Sequence, residues 1–583
     1  MTEVPRVIRI AGALTEVAPL PGAALHEIVR VGERGLLGEV IRVRGDVATV
    51  QVFEDTTGLA LEEPVAVTGA PLEVELGPGL LGSVLDGIGR PLERLAALQG
   101  DFLGAGAAAP TLDPARRWRF TPALEPGVMV GPGDVLGTVP DRNGEHRILV
   151  PPGMSGRLAA LTAGEFTIHD PIGRLEDGPP LCLAHRWPVR VPRPVASWRP
   201  GARPFVTGQR VFDFLFPVAE GGSVAVPGGF GTGKTVIEQS LAKYAEADIV
   251  VYVGCGERGN EMADVLTEFP ELVDPRTGRT LMDRAVLVVN TSNMPVAARE
   301  ASVYLGLTVA EYFRDQGCRV ALMADSLSRW AEALREIGSR LREMPGEEGY
   351  PTGLGSRLGK LCERAGRAQV PGRPVREGAV TFISALSPPG GDLSEPVTQA
   401  AGRVVAALWA LDAGLAHQRQ FPAVDWETSW SLQADAVAPW FTEHVGADWP
   451  ALRREVLALL QRDRELRDVA GLVGPDALED VDRLVLEAAR LARECLLGQS
   501  AYDPADASST LAKTRALAAL LVRLLEGGRA ALSAGAELGA LDLTRARRAL
   551  VSLRDGAPAD LEATAAGARA EVEASLAPSG VTR

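Results

Sequence analysis

The sequence has 583 residues, of which 46% are apolar and 23% are charged, and its formal net charge is −15. This length exceeds what one hydrophobic core supports and predicts several domains, while the acidic balance excludes the basic surface typical of proteins that bind nucleic acid or anionic lipid. We expect no membrane span or secretory leader, because no apolar run approaches ~20 residues, and the five scattered cysteines predict no disulfide framework, which is typical of a reducing cytosol.

Short alternating strands are predicted in the first part of the chain. Residues 1–72 alternate apolar and polar positions between glycine-containing turns, as in Val40-Ile41-Arg42-Val43, and this pattern predicts an N-terminal β-barrel. Residues 93–180 are rich in Gly, Pro and Ala but keep strand-like runs such as 135–139, so we expect an inserted β-rich lobe. A flexible linker is the alternative, although linkers rarely carry such apolar runs.

Residues 73–92 and 181–435 are predicted to form a central α/β domain. Apolar strands are expected at 223–226, 248–254, 285–289, 319–324 and 379–385, with helices at 296–316 and 326–343. Alternating strands and helices predict a parallel sheet covered by helices on both faces. Ligands of such sheets bind at the carboxyl ends of the strands.

Residues 436–583 carry helical apolar stripes and predict a C-terminal helical bundle. Within it, residues 555–583 are rich in Ala and Glu with weak periodicity, and we expect them to be frayed or bound to a partner. The predicted fold is therefore multidomain: a β-barrel, an inserted β-rich lobe, a P-loop (RecA-like) domain with a parallel sheet, and a helical bundle.

The most specific motif is a phosphate-binding loop of the form G-x-x-x-x-G-K-T. It lies between a predicted strand and a predicted helix, and that context is the one in which the motif binds phosphate. The glycines let backbone N–H groups face phosphate oxygens, the lysine reaches the outer phosphates, and the threonine hydroxyl binds Mg²⁺. The eight residues are Gly228, Gly229, Phe230, Gly231, Thr232, Gly233, Lys234 and Thr235.

A charged pair, Glu257 and Arg258, follows the second strand of this domain. The functional interpretation is that Glu257 orients the water that attacks the terminal phosphoryl group, while Arg258 neutralises phosphate charge or holds an interface. The alternative is an incidental ion pair in a solvated loop.

Two further positions are candidates by their place in the chain. Asp325 ends an apolar strand and is expected to hold the Mg²⁺ shell, although an acidic residue there can also cap a helix. Phe421 can stack on an adenine ring or be buried in the core, and the sequence leaves both open. The turn at 387–392 is either a switch loop or purely structural.

Long sequence words across most of the chain resemble one family, the catalytic A subunit of V-type and archaeal-type (V/A) rotary ATPases. The inserted lobe at 93–180 is a further mark of these subunits. The matching words are Gly256-Glu257-Arg258-Gly259-Asn260-Glu261, residues 290–300, Met344-Pro345-Gly346-Glu347-Glu348-Gly349-Tyr350-Pro351, and residues 387–392.

The resemblance implies an ATP-hydrolysing and ATP-synthesising subunit of a proton- or sodium-translocating complex, with ATP or ADP and Mg²⁺ bound. It implies an A₃B₃ hexamer with a B-type subunit that supplies an arginine finger, contacts with central and peripheral stalks, and a peripheral, cytoplasmic location. It gives Lys234 and Thr235 the phosphates and Mg²⁺, Glu257 the water and Arg258 the phosphates. It places Phe421, and Tyr502 beside it, on the adenine.

Other functions are weighed against this one. A secretion or RNA-translocating ring motor would lack the inserted lobe or need basic pore loops, and a non-catalytic subunit would lack the Lys-Thr and Glu residues. A regulatory paralogue stays open because Gly229 and residues 352–355 depart from the family pattern. The sequence leaves open which ion is moved, whether synthesis or pumping dominates, and which interface is closed at rest.

Overall fold

The computed structural model describes residues 4–100, 106–107, 109–474 and 477–577. Parts of the predicted inserted lobe, at 101–105 and 108, and the last six residues of the predicted frayed end lie outside the described residues. The chain forms two compact units: unit 1 contains Met1–Pro200, Glu220–Pro227 and Ala247–Val405, and unit 2 contains Gly201–Ala219, Gly228–Glu246 and Ala406–Arg583.

The elements up to residue 200 are mainly short strands. They are β1 (Arg6–Ala11), β2 (Leu14–Ala18), β3 (Glu27–Val31), β4 (Leu36–Arg44), β5 (Val47–Val52), β6 (Val65–Pro71), β7 (Glu73–Leu76), β8 (Val84–Asp86), α1 (Leu92–Gln99), β9 (Trp118–Pro122), β10 (Met129–Val130), β11 (Val135–Asp141), β12 (Gly144–Leu149), β13 (Gly156–Leu161), β14 (Gly164–Phe166), β15 (Gly173–Leu175), β16 (Pro180–Leu181), β17 (His185–Pro188) and β18 (Ser197–Arg199).

Strands and helices then alternate, and helices follow to the end of the described chain. They are β19 (Ser223–Pro227), α2 (Lys234–Tyr244), β20 (Ile249–Glu257), α3 (Gly259–Glu271), β21 (Ala285–Thr291), α4 (Val296–Asp315), β22 (Arg319–Asp325), α5 (Leu327–Arg340), α6 (Leu354–Cys362), β23 (Gly366–Val370), β24 (Arg376–Leu386), α7 (Pro396–Gly402), β25 (Ala407–Leu408), α8 (Ala413–His417), β26 (Trp430–Ser431), α9 (Ala434–His444), α10 (Trp449–Val473), α11 (Asp480–Leu491), α12 (Leu511–Ser533), α13 (Leu543–Asp555) and α14 (Leu561–Leu576).

The first six strands of unit 1 form a β-barrel. Their order is β1-β2-β5-β4-β3-β6, and the ends close because Val65 N donates to Pro5 O at 2.8 Å and Arg6 pairs with Pro64. Alternate valines point inward, as the period of two in the sequence predicts. The inward set includes Val7, Val17, Val29, Val31, Val40 and Val50, all fully buried. The predicted barrel is confirmed.

The inserted lobe is also confirmed. Its strands form two four-stranded sheets, β10-β13-β15-β16 and β12-β11-β9-β14. The lobe is tied to α4 in the same unit, because buried His146 lies 2.7 Å from the Tyr312 hydroxyl. Burial lowers the pKa of His146 to about 4, so this imidazole is neutral near pH 7.

A parallel sheet forms the core of unit 1, in the order β19-β24-β22-β20-β21-β8. Each neighbouring pair runs parallel, and the predicted strands are confirmed to within a few residues. The apolar runs are long because such strands are buried on both faces. Helix α4 packs against the sheet and is buried along most of its length.

Unit 2 contains the predicted helical bundle. Helices α10, α11 and α12 pack together, and α14 packs against α12 and α13. The expectation that the chain is frayed after residue 555 is wrong for 561–576, which form α14. Alanine is the best helix former, and Val572 (0% exposed) and Ala568 (5% exposed) give this helix a buried side that the weak periodicity did not reveal.

Candidate functional site

The phosphate-loop motif forms one continuous loop between a strand and a helix. Strand β19 ends at Pro227 and α2 begins at Lys234, as the motif requires. Gly231 and Gly233 have φ of +78° and +83°, a region that side chains with a Cβ rarely enter. A Cβ on Gly228 would lie 2.5 Å from Thr232 Oγ1. Glycine is therefore needed at these positions for the backbone to curve this tightly.

The loop is held in shape by its own polar side chains. Lys234 Nζ donates to the carbonyl oxygens of Gly228 and Gly229 at 2.8 and 3.0 Å, and Thr232 Oγ1 donates to Gly229 O at 2.9 Å. The ammonium therefore already lies at the concave side of the loop. Because α2 directs the positive end of its dipole at the same point, the loop suits an anion with several oxygens.

An aromatic pair lies beside this loop in unit 2. A Cβ on Gly233 would lie 2.6 Å from Phe421 Cδ1, so the ring packs against the end of the loop. Phe421 and Tyr502 meet edge to face, with ring centroids 5.7 Å apart. Tyr502 is 68% exposed and Phe421 is half-buried. The rings are thus available to stack on a flat ligand that extends from the loop.

Glu257 ends β20 in unit 1 and is buried, with 9% exposure. Its Oε1 has no hydrogen-bond partner among the described residues. Burial, assisted by the charge of Asp325, raises the pKa of the Glu257 carboxyl to about 8. A carboxyl with a raised pKa and an unpaired oxygen is the combination expected of a general base or a water-positioning group.

The backbone turns at Gly256 to orient this carboxyl. The pairing of β20 with β21 shifts register between Cys255 and Glu257, and Ser292 N donates to Glu257 O at 2.8 Å. A Cβ on Gly256 would lie 2.7 Å from Arg299 Cδ and 2.8 Å from Arg329 Cβ. Two arginines therefore pack directly against the turn that carries Glu257.

Asp325 and Arg258 lie near Glu257 in the same unit. Asp325 ends β22 and is 4% exposed, and it pairs in register with Gly254 on β20. Arg258 precedes α3 with its side chain 58% exposed and its Nη1 4.0 Å from Glu261 Oε1. The structure thus brings Glu257 and Asp325 together and leaves the Arg258 guanidinium at the surface.

Arg299 and Arg329 are residues that reasoning from the sequence missed. Arg329 forms an ion pair with Glu332 at 2.9 Å. Burial opposes its charge, but Glu332 and, more weakly, Glu257 raise the pKa of this guanidinium. Both arginines lie in the family-like stretches of the sequence, so a search for cations near the acidic residue could have found them.

The polar groups fit Mg²⁺ bound together with a phosphate ligand. Thr235 and Asp325 offer oxygen donors, which Mg²⁺ prefers. Among the described residues, no group of three or more His, Cys, Asp or Glu side chains could hold a metal. A Mg²⁺ ion would therefore take much of its shell from phosphate and water, as is usual for this ion. The site roles assigned from the sequence stay predictions.

The turn at 387–392 is anchored rather than loose at its start. Ser387 N donates to Ser328 Oγ at 2.9 Å, and Asp392 accepts from Ser394 Oγ at 2.7 Å. Both interpretations of this turn stay open. Within the described part of the chain, no helix is long and apolar enough to cross a membrane.

Sequence models of one family match four parts of the chain. Residues 208–431 match the nucleotide-binding domain of the ATP synthase alpha/beta family, and residues 7–69 match the β-barrel domain of that family. Residues 109–190 match the barrel-sandwich domain of ATP synthase alpha/beta subunits, and residues 438–529 match the C-terminal domain of V and A type ATP synthase. The domain limits predicted from the sequence stay predictions.

Curated relatives match almost end to end. The V-type ATP synthase alpha chain of Anaeromyxobacter dehalogenans (strain 2CP-C) is 56% identical over 98% of both chains. An A-type ATP synthase protein of Methanospirillum hungatei, the second of its A subunits, is 50% identical over 94% of both. Among solved structures, the ATPase EscN from the type III secretion system of enteropathogenic E. coli has a TM-score of 0.63 at 23% identity, over 89% of this chain and all of that one, which shows a shared fold.

Proposed function

The chain belongs to the ATP synthase alpha/beta family, in the branch of V-type alpha chains and A-type A subunits, and from this we propose that it is the catalytic subunit of a rotary, ion-translocating ATPase. The reaction is phosphoryl transfer between ATP and water, reversible when rotation supplies torque. The observation that carries the proposal is the end-to-end match at 56% identity to a V-type alpha chain, together with a loop shaped for phosphate.

The phosphate loop binds the triphosphate of the substrate. Its amide groups and the helix dipole meet the phosphate charge. The ammonium of Lys234 leaves the loop carbonyls, 2.8 and 3.0 Å away, for the outer phosphates. Phe421 and Tyr502 stack on the base, which is supported by their position beside the loop in the same unit.

The carboxylate of Glu257 orients and deprotonates the attacking water. The support is its burial, its unpartnered Oε1 within the described residues and its raised pKa, to about 8. Arg258 neutralises charge on the phosphates. Thr235 and Asp325 hold Mg²⁺, and a bound Mg²⁺ neutralises charge on the phosphate oxygens during transfer.

The partners are those that the family implies. We propose an A₃B₃ hexamer with a B-type subunit, in which the partner supplies an arginine to the site, and helical contacts of this chain with a central stalk. Peripheral stalks and a membrane sector complete the complex, so the chain works at the cytoplasmic side of a membrane through other subunits. Lid and interface closure around nucleotide then links hydrolysis to movement.

A secretion-type ring motor is the second candidate, because EscN shares the fold. Two features favour the rotary assignment: the barrel-sandwich insertion at 109–190 and the V/A-type C-terminal domain at 438–529. ATP hydrolysis by the chain with and without a B-type partner tests the proposal. We expect turnover to need the partner and to vanish in Lys234→Ala; equal turnover without the partner would contradict the proposed assembly.

A further inference from the structure

Arg210 is a charged residue that the reaction described above does not use. Its side chain is fully buried, with 0% exposure. It directly precedes a π-helical turn at Val211–Leu215 in unit 2, and π-helical turns often occur at functional sites. A buried guanidinium needs partners for its donors, and these partners show what the residue holds in place.

The Arg210 side chain bonds to one distant segment of unit 2. Nη1 pairs with Asp506 Oδ1 at 2.6 Å, Nε donates to Leu496 O at 2.8 Å, and Nη2 donates to Gly498 O at 2.5 Å. Leu496 lies in a second π-helical turn, Ala492–Leu497. One side chain therefore fixes the segment from 496 to 506 at both ends.

The backbone next to Arg210 holds the same segment. Arg210 N donates to Gln499 Oε1 at 2.9 Å, and Gln499 Nε2 donates to Gly208 O at 3.1 Å. Ser509 N donates to the same carbonyl at 2.8 Å. We call the Arg210–Asp506 ion pair, together with the Gln499 bonds, the latch.

The latch continues to the aromatic pair. Asp506 accepts from Arg210 with one oxygen and from Ser500 N, at 3.1 Å, with the other. Phe421 N donates to Gln499 O at 3.2 Å, and Phe421 pairs with Ser500 as a parallel bridge. Tyr502 lies two residues beyond Ser500, with its ring edge to face against Phe421.

We propose that Arg210, through its ion pair with Asp506, is a positioning residue that holds the Phe421–Tyr502 pair in the geometry that receives the nucleoside base of the substrate. The inference rests on the proposed function, since it needs a nucleotide with its phosphates in the neighbouring loop. It adds a base-positioning device that acts on affinity for the base and not on the phosphates.

The test compares a ligand that has a base with one that lacks it. ATP with Mg²⁺ and inorganic tripolyphosphate are titrated calorimetrically into the full chain, and thermal unfolding is followed for each variant. In Asp506→Asn we expect the dissociation constant for ATP to rise about tenfold, because stacking on a base is worth about that much or more, while tripolyphosphate binding stays within about twofold. Asp506→Glu should restore most of the ATP affinity, and Arg210→Lys should behave like Asp506→Asn.

A matched control is available in unit 1. Arg284 and Asp274 form another buried pair, 2.8 Å apart, and Arg284→Lys should cost stability without changing ATP affinity. Equal losses for ATP and tripolyphosphate, or an unchanged ATP affinity in both latch variants, would overturn the inference. If Asp506→Asn fails to fold, Arg210→Lys decides.

Two further variants separate this inference from the proposed function. Lys234→Ala reports on the phosphate loop alone, so retained tripolyphosphate binding there contradicts the proposed function. If Lys234→Ala loses both ligands but Phe421→Ala binds ATP normally, the phosphate site stands and the base-positioning role of Arg210 is refuted.

Discussion

The packing of Phe421 against Gly233 allows a sharp test of the nucleotide site. Ala at 233 must adopt φ near +83°, which costs an L-residue roughly 1–2 kcal/mol. Its Cβ would also lie 2.6 Å from Phe421 Cδ1, so the ring must move and base stacking, worth about 1–3 kcal/mol, is reduced. Gly231 is the matched control: its φ is +78°, and an added Cβ meets no atom within 4 Å.

We therefore expect different losses from two equally strained alanines. If the free loop relaxes and binding restores the strained geometry, Gly231→Ala raises the dissociation constant of ATP by roughly 5- to 30-fold. Gly233→Ala should weaken ATP binding by about a further tenfold, whereas inorganic tripolyphosphate, which has no base, should respond alike to both. Isothermal titration of the full chain measures both ligands.

A double variant isolates the ring contact. In a Phe421→Ala background the Cβ at 233 has room, so the added cost of Gly233→Ala should fall to that of Gly231→Ala, which is the coupling that a double-mutant cycle detects. Equal ATP affinities for the two single glycine variants, with both chains folded by thermal unfolding, would refute the claim that this ring borders the nucleotide.

Three further predictions concern other residues. Lys234→Ala should abolish binding of tripolyphosphate by calorimetry, because the ammonium that lies 2.8 Å from Gly228 O is the loop's cation. Gly256→Ala should reduce turnover by at least about tenfold with ATP affinity nearly unchanged, because a Cβ 2.7 Å from Arg299 Cδ shifts the turn that orients Glu257; normal turnover would contradict this. Burial raises the pKa of Asp213 from 3.8 to about 7, so its contribution to stability is fully present below about pH 4 and is lost as pH rises to about 7, a change of up to roughly 4 kcal/mol at about 1.36 kcal/mol per pKa unit. Urea unfolding at several pH values should show this fall for the native chain relative to Asp213→Asn, and parallel curves would exclude it.

Local signals account for what the sequence predicted well. The phosphate loop was identifiable because its glycines, lysine and threonine lie in one short stretch between a strand and a helix. The parallel strands were identifiable because burial on both faces leaves continuous apolar runs, as in β20 and β22. Glu257 and Asp325 could be predicted as neighbours, since both end strands of one parallel sheet and carboxyl ends of such strands share an edge.

What the sequence did not reveal depends on contacts between distant parts of the chain. Arg210 and Asp506 are 296 positions apart, and no periodicity links them. The packing of Arg299 and Arg329 against Gly256 arises only when α4 and α5 fold back on the sheet. Helix α14 was missed because alanine gives little contrast between a buried and an exposed face.

The most direct test of the catalytic role of Glu257 is the turnover of Glu257→Gln in a complex with a B-type partner. The substitution keeps the shape of the side chain but removes the carboxylate, so we expect ATP to bind within about threefold of normal while hydrolysis falls by at least about 100-fold, the low end of what general base catalysis contributes. Glu271→Gln, at an exposed position on the neighbouring α3, is the control and should hydrolyse ATP normally. Turnover of the Glu257→Gln complex at the normal rate would contradict the claim that this carboxylate acts on the water.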